Sequence, residues 1–164
     1  MTELLDKKHK RNNFDCGNEL LDNYLKTQAG QDLKKKSAVC FVLSNPKTYH
    51  IQGYYTLSNS SIPLNSFPES IRKKFPRSYT SIPATLLGRL AIDQTHQGKG
   101  MGKILLIDAL KRSWEASKKL GSFAVVVDPI DEEAEKFYAK YDFIKLPDSG
   151  KMFIALKTLE KLFT

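Results

Sequence analysis

Hydrophobic positions along the chain fall into short apolar runs and helical arcs, separated by charged or turn-forming stretches. The opening segment is polar, with Lys7-Lys8-His9-Lys10-Arg11-Asn12-Asn13. Behind Asp15, a candidate N-cap, Leu20, Leu21, Tyr24, Leu25 and Ala29 recur at helical spacing. Lys34-Lys35-Lys36 reads as a basic turn. Ala38 to Leu43 reads as a strand, Asn45-Pro46-Lys47 as a turn and Ile51 to Leu57 as the second strand of a hairpin. Residues 59–80 are mixed and broken by Pro63, Pro68 and Pro76, with a short helix expected around Glu69 to Phe75. Ala84 to Ile92 is a clear strand. Lys99 to Lys119 predicts a long helix whose apolar arc is Met101, Leu105, Leu106, Ala109, Leu110 and Trp114. Asp108, Lys111, Lys118 and Lys119 fall on its wet side, and Gly121 is placed to end it. Ser122 to Val127 has the β-branched character of a central strand. Asp131 to Lys140 predicts a helix, Lys151 to Lys157 a strand and Leu156 to Phe163 a closing short helix.

This order predicts an α/β fold: a mixed, mostly antiparallel central sheet flanked by helices, with a parallel crossover between strands 84–92 and 122–127. No repeat, low-complexity tract or linker divides the 164 residues, so one domain over 1–164 is expected. With 41% hydrophobic residues the chain can bury a core, which argues against disorder. No apolar run is long enough to span a membrane and the N-terminus has no signal-peptide core, so a cytoplasmic protein is expected. Cys16 and Cys40 read as buried reduced thiols. They and the three histidines lack ligand spacing, so no metal site is expected. The net charge of +8, from 26 basic and 18 acidic residues, favours an anionic partner: a phosphate-bearing cofactor, a nucleic acid or both.

The chemistry is concentrated where the strand ending at Ile92 turns into the long helix through Gln97-Gly98-Lys99-Gly100-Met101-Gly102. Glycines let the backbone approach oxygen atoms closely, and the helix start presents unpaired N–H groups and a positive dipole end. A pyrophosphate fits such a cradle, with Lys99 and Lys103 adding charge. The P-loop pattern GxxxxGK[ST] is absent, and GxGxxG fails because Lys103 stands where its last glycine would be.

The hexapeptide resembles the Q/R-x-x-G-x-G/A signature of the GNAT acetyltransferases, with Gln97, Gly100 and Gly102 at the fixed positions. Leu90-Ala91-Ile92-Asp93 is similar to that family's fourth strand, and Asp131 through Phe143 to its N-x-x-A-x-x-x-Y-x-x-x-G-F segment. Asp131 replaces the family Asn and Asp142 the family Gly. The resemblance implies acetyl-CoA as cofactor, held by Leu90, Ala91 and Ile92, by residues 97–103, and by Asp131, Ala134 and Phe137. It implies that Tyr138 protonates the departing CoA thiolate. Asn13 through Leu25, Gly53-Tyr54-Tyr55-Thr56-Leu57 and Leu87 through Asp93 further resemble the GNAT toxins of toxin–antitoxin pairs. That implies acetylation of the α-amine of aminoacyl-tRNA, a block of translation, a cognate antitoxin of ribbon-helix-helix type and a homodimer.

No Glu or His stands out as a general base. An α-amine titrates near about 8, against about 10.4 for lysine, so it needs little help to become neutral. Lys34, Lys35, Lys36, Arg72, Lys73, Lys74 and Arg77 are candidate tRNA contacts, with Lys7, Lys8, Lys10 and Arg11, against the alternative of solvated surface charge. Arg89 is read as a contact to acceptor-end phosphate or as a stabiliser of the fold. Two rival functions stay open: a GNAT enzyme for a small amine or protein lysine, and a non-catalytic basic nucleic-acid-binding or regulatory module.

Overall fold

A computed structural model describes residues 1–164. Its strands are β1 (Glu3–Leu4), β2 (Val39–Ser44), β3 (Ile51–Pro63), β4 (Ser81–Ile92), β5 (Ala124–Val127), β6 (Ile144–Lys145) and β7 (Met152–Ala155). Its helices are α1 (Glu19–Asn23), α2 (Ala29–Lys35), α3 (Glu69–Arg72), α4 (Met101–Ser117), α5 (Glu132–Lys140) and α6 (Glu160–Phe163). The seven strands form a sheet in the order β1-β2-β3-β4-β5-β7-β6, with β4 and β5 parallel and β1/β2, β2/β3, β5/β7 and β6/β7 antiparallel. The expected α/β architecture and its parallel crossover are both present. The chain divides into two compact units, Met1–Ser58 with Leu87–Leu110, and Asn59–Leu86 with Lys111–Thr164.

In the first unit, β2 and β3 form the expected hairpin, with Cys40 opposite Thr56 and Val42 opposite Tyr54. All four are buried. The Asn45 side chain makes the turn by accepting from the amides of Lys47 (2.8 Å) and Thr48 (3.1 Å). Behind the hairpin, Leu5, Phe14, Tyr24, Leu25, Ala29 and Tyr54 form the core. The cap of α1 is Asn18, which accepts from the Leu21 amide at 3.1 Å, and not Asp15, whose carboxylate accepts from Gly17. A π-helical turn, Tyr24–Gln28, separates α1 from α2 and changes the helical phase. Tyr24, Leu25 and Ala29 are buried as expected, while Leu20 is 81% exposed. Lys34 and Lys35 end α2, and only Lys36 is a turn residue, in the left-handed region at φ 60°. The short edge strand β1 lies ahead of the polar segment Lys7–Asn13, where no strand was expected.

Helix α4 starts in this unit and buries Leu105, Leu106, Ala109 and Leu110 as the pattern predicts. Asp108 is a correction: it is not on a wet side but half-buried, accepting from the buried Tyr55 hydroxyl at 2.5 Å and from the Thr2 hydroxyl. Gly53 lets β3 lie close to its neighbours. A Cβ there would sit 2.9 Å from both Ile92 Cδ1 and Leu105 Cδ1, and 3.2 Å from the Ala91 carbonyl oxygen.

In the second unit, β5 is wholly buried between β4 and β7, in register Ala84↔Ala124 and Ala124↔Ala155. Phe67 stands edge-on to Phe123 and Phe153, and Phe75 edge-on to Phe123. Helix α3 stops at Arg72 rather than Phe75. Pro76 disfavours helical geometry at Phe75, and the chain closes instead with tight turns from Lys74 to Ile71 and Phe75 to Arg72. Helix α4 likewise ends at Ser117, not Lys119. The amides of Lys119 and Leu120 both return to Ala116, and Gly121, outside the left-handed region, does not cap the helix. Lys118 lies over the Trp114 ring at 3.6 Å, keeping its stem on the protein.

Candidate active site

The glycine loop is built on a carboxylate hub. Asp93, at the end of β4, accepts from the Thr95 amide (3.0 Å) and hydroxyl (2.7 Å) with one oxygen and from the Asp15 amide (3.0 Å) with the other. Burial works against its charge, but these hydrogen bonds outweigh it and hold the carboxyl below its usual range. The Gln94 amide donates back to the Asp15 carbonyl at 2.8 Å. Gln97 then donates its side-chain amide to the carbonyls of Ile92 (2.8 Å) and Cys16 (2.9 Å). The side chain of Gln97, expected at the cofactor, is thus a brace that ties the loop to the strand end and to the N-terminal block. In the sequence Asp93 figures only as the last residue of strand blocks that resemble the family, although Asp93-Gln94-Thr95 carries an Asx-turn signal.

Gly98 and Gly100 have φ of 78° and 80°, both in the left-handed region, and a Cβ on either would meet nothing within 4 Å. The backbone is therefore open above both residues. Helix α4 begins at once with Met101, and its first turn closes from the Ile104 amide to the Gly100 carbonyl at 3.3 Å. The amides of Met101, Gly102 and Lys103 have no carbonyl one turn earlier in the helix. Lys99 and Lys103 are exposed beside them. Open glycine backbone, unpaired helix-start amides, the positive dipole end and two lysines suit a diphosphate, so the residues present fit a CoA-type cofactor.

Upstream, Leu90 and Ile92 are half-buried and Ala91 is buried. The parallel register of β4 with β5 covers Ala84 to Leu86, so Leu90 to Ile92 lie beyond it. Arg89 stacks its guanidinium 3.5 Å from the centre of the Tyr24 ring, and the Tyr24 hydroxyl donates to Asp32 at 2.7 Å. Hydrogen bonds from Gln28 and then Tyr24 lower the Asp32 carboxyl. Arg89 therefore has a stabilising place in the first unit.

Tyr138 lies on α5 in the second unit and is 8% exposed. Its ring packs against Phe137 and Phe143, each at 5.3 Å between centroids. Burial pushes its phenol up to about 12, so the O–H stays protonated at neutral pH. Asp131 caps α5 by accepting from the Ala134 amide at 2.8 Å, so this carboxylate oxygen serves the helix start. Asp142 sits at φ 71°, which accounts for glycine at this place in the family pattern, and aspartate is among the residues that tolerate the region.

The basic residues fall in both units. Lys34, Lys35 and Lys36 are exposed in the first, and Arg72, Lys73, Lys74 and Arg77 in the second, close to the half-exposed Tyr79. Three of the candidate contacts have partners within the chain: Lys8 pairs with Glu3 at 3.1 Å, Arg11 donates to the Leu25 carbonyl at 3.3 Å and Arg72 to the Phe67 carbonyl at 3.5 Å. Cys16 and Cys40 are free thiols, raised by burial to about 11 and about 12, and no His/Cys/Asp/Glu group could hold a metal.

Residues 80–153 match the acetyltransferase (GNAT) domain family. The chain is 33% identical over 130 residues to a tRNA-acetylating toxin of Mycobacterium tuberculosis, covering 79% of this chain and 75% of the relative. It is 30% identical over 169 residues to the probable toxin TacT of Sinorhizobium fredii, covering 98% and 93%. Among solved structures, AtaT complexed with acetyl-methionyl-tRNAfMet superposes with a TM-score of 0.91 at 34% identity, over 100% of this chain and 99% of that one. A tyrosine-to-phenylalanine mutant of AtaT, bound to the C-terminus of the antitoxin AtaR and to acetyl-CoA, gives 0.84 at 32% identity, over 100% and 98%. The chain belongs to the GNAT acetyltransferases, in the family of the tRNA-acetylating toxins.

Proposed function

We propose that this acetyltransferase moves the acetyl group of acetyl-CoA to the α-amine of aminoacyl-tRNA and so blocks translation. The observation that carries the reading is the open anion cradle at Gly98 and Gly100, in a chain that matches a tRNA-bound relative over its whole length. When bound, the cofactor supplies the acetyl group as an activated thioester. Backbone amides of residues 98–103 hold its diphosphate, and Lys99 and Lys103 add charge. The β4 edge at Leu90, Ala91 and Ile92, beyond the β5 register, offers main-chain groups to the pantetheine arm and the acyl carbonyl. Ala134 and Phe137 line the helix side, where Asp131 acts through its cap. Tyr138 Oη holds its proton at neutral pH and delivers it to the departing sulfur. The α-amine, titrating near about 8, loses its proton to water without a dedicated protein base.

Lys34 to Lys36 and the basic insert of Arg72, Lys73, Lys74 and Arg77 are the proposed phosphate contacts, with Arg89 held in place by its stacking on Tyr24. The partner that goes with this reading is a cognate antitoxin of ribbon-helix-helix type, and the assembly two copies of the chain. No helix is long and apolar enough to cross a membrane, and a charged-tRNA substrate places the reaction in the cytoplasm.

Incubation with labelled acetyl-CoA and total charged tRNA, then mass spectrometry of the released amino acids, tests the reaction. N-acetylated amino acids are expected. Label appearing on polyamines or protein lysines instead would transfer the activity to a different acceptor.

A further inference from the structure

The first unit holds a cavity of about 330 Å³ that the acetyl-transfer reading does not use. Its size falls at the low end of the range for small-ligand pockets, about 300–1,000 Å³. Lys10, His50 and His96 line it over an apolar floor that includes Phe14 and Ile51. The wall is fixed by backbone: the Lys10 amide donates to the Tyr49 carbonyl at 2.8 Å, and the Ile51 amide to the Lys10 carbonyl at 3.2 Å.

Several acceptors around this cavity are already engaged. Asp93 accepts with both oxygens from Thr95 and Asp15. Asn45 accepts from Lys47 and Thr48 with its side-chain oxygen, which leaves its amide N–H groups as donors. The Thr95 hydroxyl donates to Asp93. What remains is a set rich in donors: the Lys10 ammonium, the imidazoles of His50 and His96, and the side-chain amides of Asn13, Asn45 and Gln52, with the Thr48 hydroxyl beside them. By contrast, a neighbouring cavity of about 530 Å³ carries three carboxylates, Asp15, Glu19 and Asp22, against one lysine, Lys26, where this cavity has the single carboxylate of Asp93.

We propose that the Lys10–His50–His96 cavity is a second phosphate site, separate from the glycine loop. The inference rests on the substrate reading above, which supplies two phosphates of the right chemistry: a phosphodiester of the tRNA backbone and the 3′-phosphate of the cofactor. Both are compact anions matched by several N–H donors.

The test uses the full chain and two variants. Lys10→Gln/His50→Gln/His96→Gln removes the ammonium and both imidazoles. Asn45→Asp keeps the oxygen that accepts from Lys47 and Thr48 but puts a carboxylate where the donor stood. Each protein is titrated with deacylated tRNA over a salt series, with acetyl-CoA and with 3′-dephospho-CoA. If the site takes tRNA, both variants weaken tRNA binding about five- to tenfold, and the triple variant lowers the salt slope by about one, with acetyl-CoA affinity unchanged. If it takes the cofactor, acetyl-CoA affinity falls in both variants and 3′-dephospho-CoA binding does not change. Wild-type affinities for all three ligands in both variants would overturn the phosphate site. Acetylation of charged tRNA by the wild type is measured alongside, so its absence would overturn the substrate reading separately.

Discussion

At the residue scale, burial pushes Tyr138 and Asp93 the same way, and hydrogen bonds reverse the outcome at Asp93 alone. Burial raises the Tyr138 phenol to about 12, well above neutral pH, and keeps its proton available. The rate on aminoacyl-tRNA should therefore rise with pH through about 8 as the α-amine deprotonates, with no fall from Tyr138 until far into alkali. A kcat/KM profile that fell on an acid with a pKa near 8 would remove Tyr138 from the role. Tyr138→Phe keeps the ring packing on Phe137 and Phe143, so it should lower kcat by about 10²–10⁴-fold with acetyl-CoA affinity within about twofold. Asp93 is the reverse case: its folded-state carboxyl lies below the unfolded value of about 3.9, so the stability it contributes is present above that pH. It is lost as pH falls through the folded value. Asp93→Asn cannot satisfy the same three donors and should cost about 1–3 kcal/mol at pH 7 by denaturant unfolding, with a smaller difference from wild type under acid.

At the element scale, the close fit of β3 against the end of β4 and the start of α4 makes Gly53 the position to test. The added methyl in Gly53→Ala meets side-chain carbons of Ile92 and Leu105 at 2.9 Å and, less yielding, the Ala91 carbonyl. We expect about 1–3 kcal/mol of destabilisation and a raised KM for acetyl-CoA, because the displaced backbone is the strand end that leads into the loop. Thermal melts and steady-state kinetics read the two effects. The contribution of Gly53 is absent from local pattern, as it depends on Ile92 and Leu105, 39 and 52 positions away. Other elements were legible because their causes are local: the hairpin turn at Asn45, the apolar arc of α4, the helix that becomes α5, and the glycine loop. Misplaced boundaries trace to physical competition. Pro76 shortens α3, and the π-helical turn Tyr24–Gln28 breaks the single helical phase on which the apolar positions from Leu20 to Ala29 were aligned. The brace made by Gln97 was hidden for a similar reason. Its motif position points to the cofactor, but its amide is claimed by carbonyls at Ile92 and Cys16, the latter 81 residues away in sequence.

At the scale of the whole molecule, β3, β4 and α4 each begin in one compact unit and end in the other, so neither unit has a full set of elements of its own. On the proposal that residues 1–164 act as one domain, calorimetric unfolding should give one transition with equal van't Hoff and calorimetric enthalpies; two resolved transitions would reject it. Charge acts at the same scale. Arg72, Lys73, Lys74 and Arg77 concentrate four positive charges within six residues of a chain with a net charge of +8, and all four are exposed. If they serve tRNA phosphates, replacing all four with Gln should weaken tRNA binding across every tRNA species and flatten its salt dependence. Each lost contact to duplex phosphate reduces the slope of log K against log salt by about 0.9. The same variant should acetylate a small aminoacyl ester at the wild-type rate, since none of the four belongs to the glycine loop, β4 or α5. Loss of activity on both acceptors would assign the insert to the fold, whereas an unchanged salt slope would leave these charges as solvated surface and move tRNA recognition to Lys34, Lys35 and Lys36.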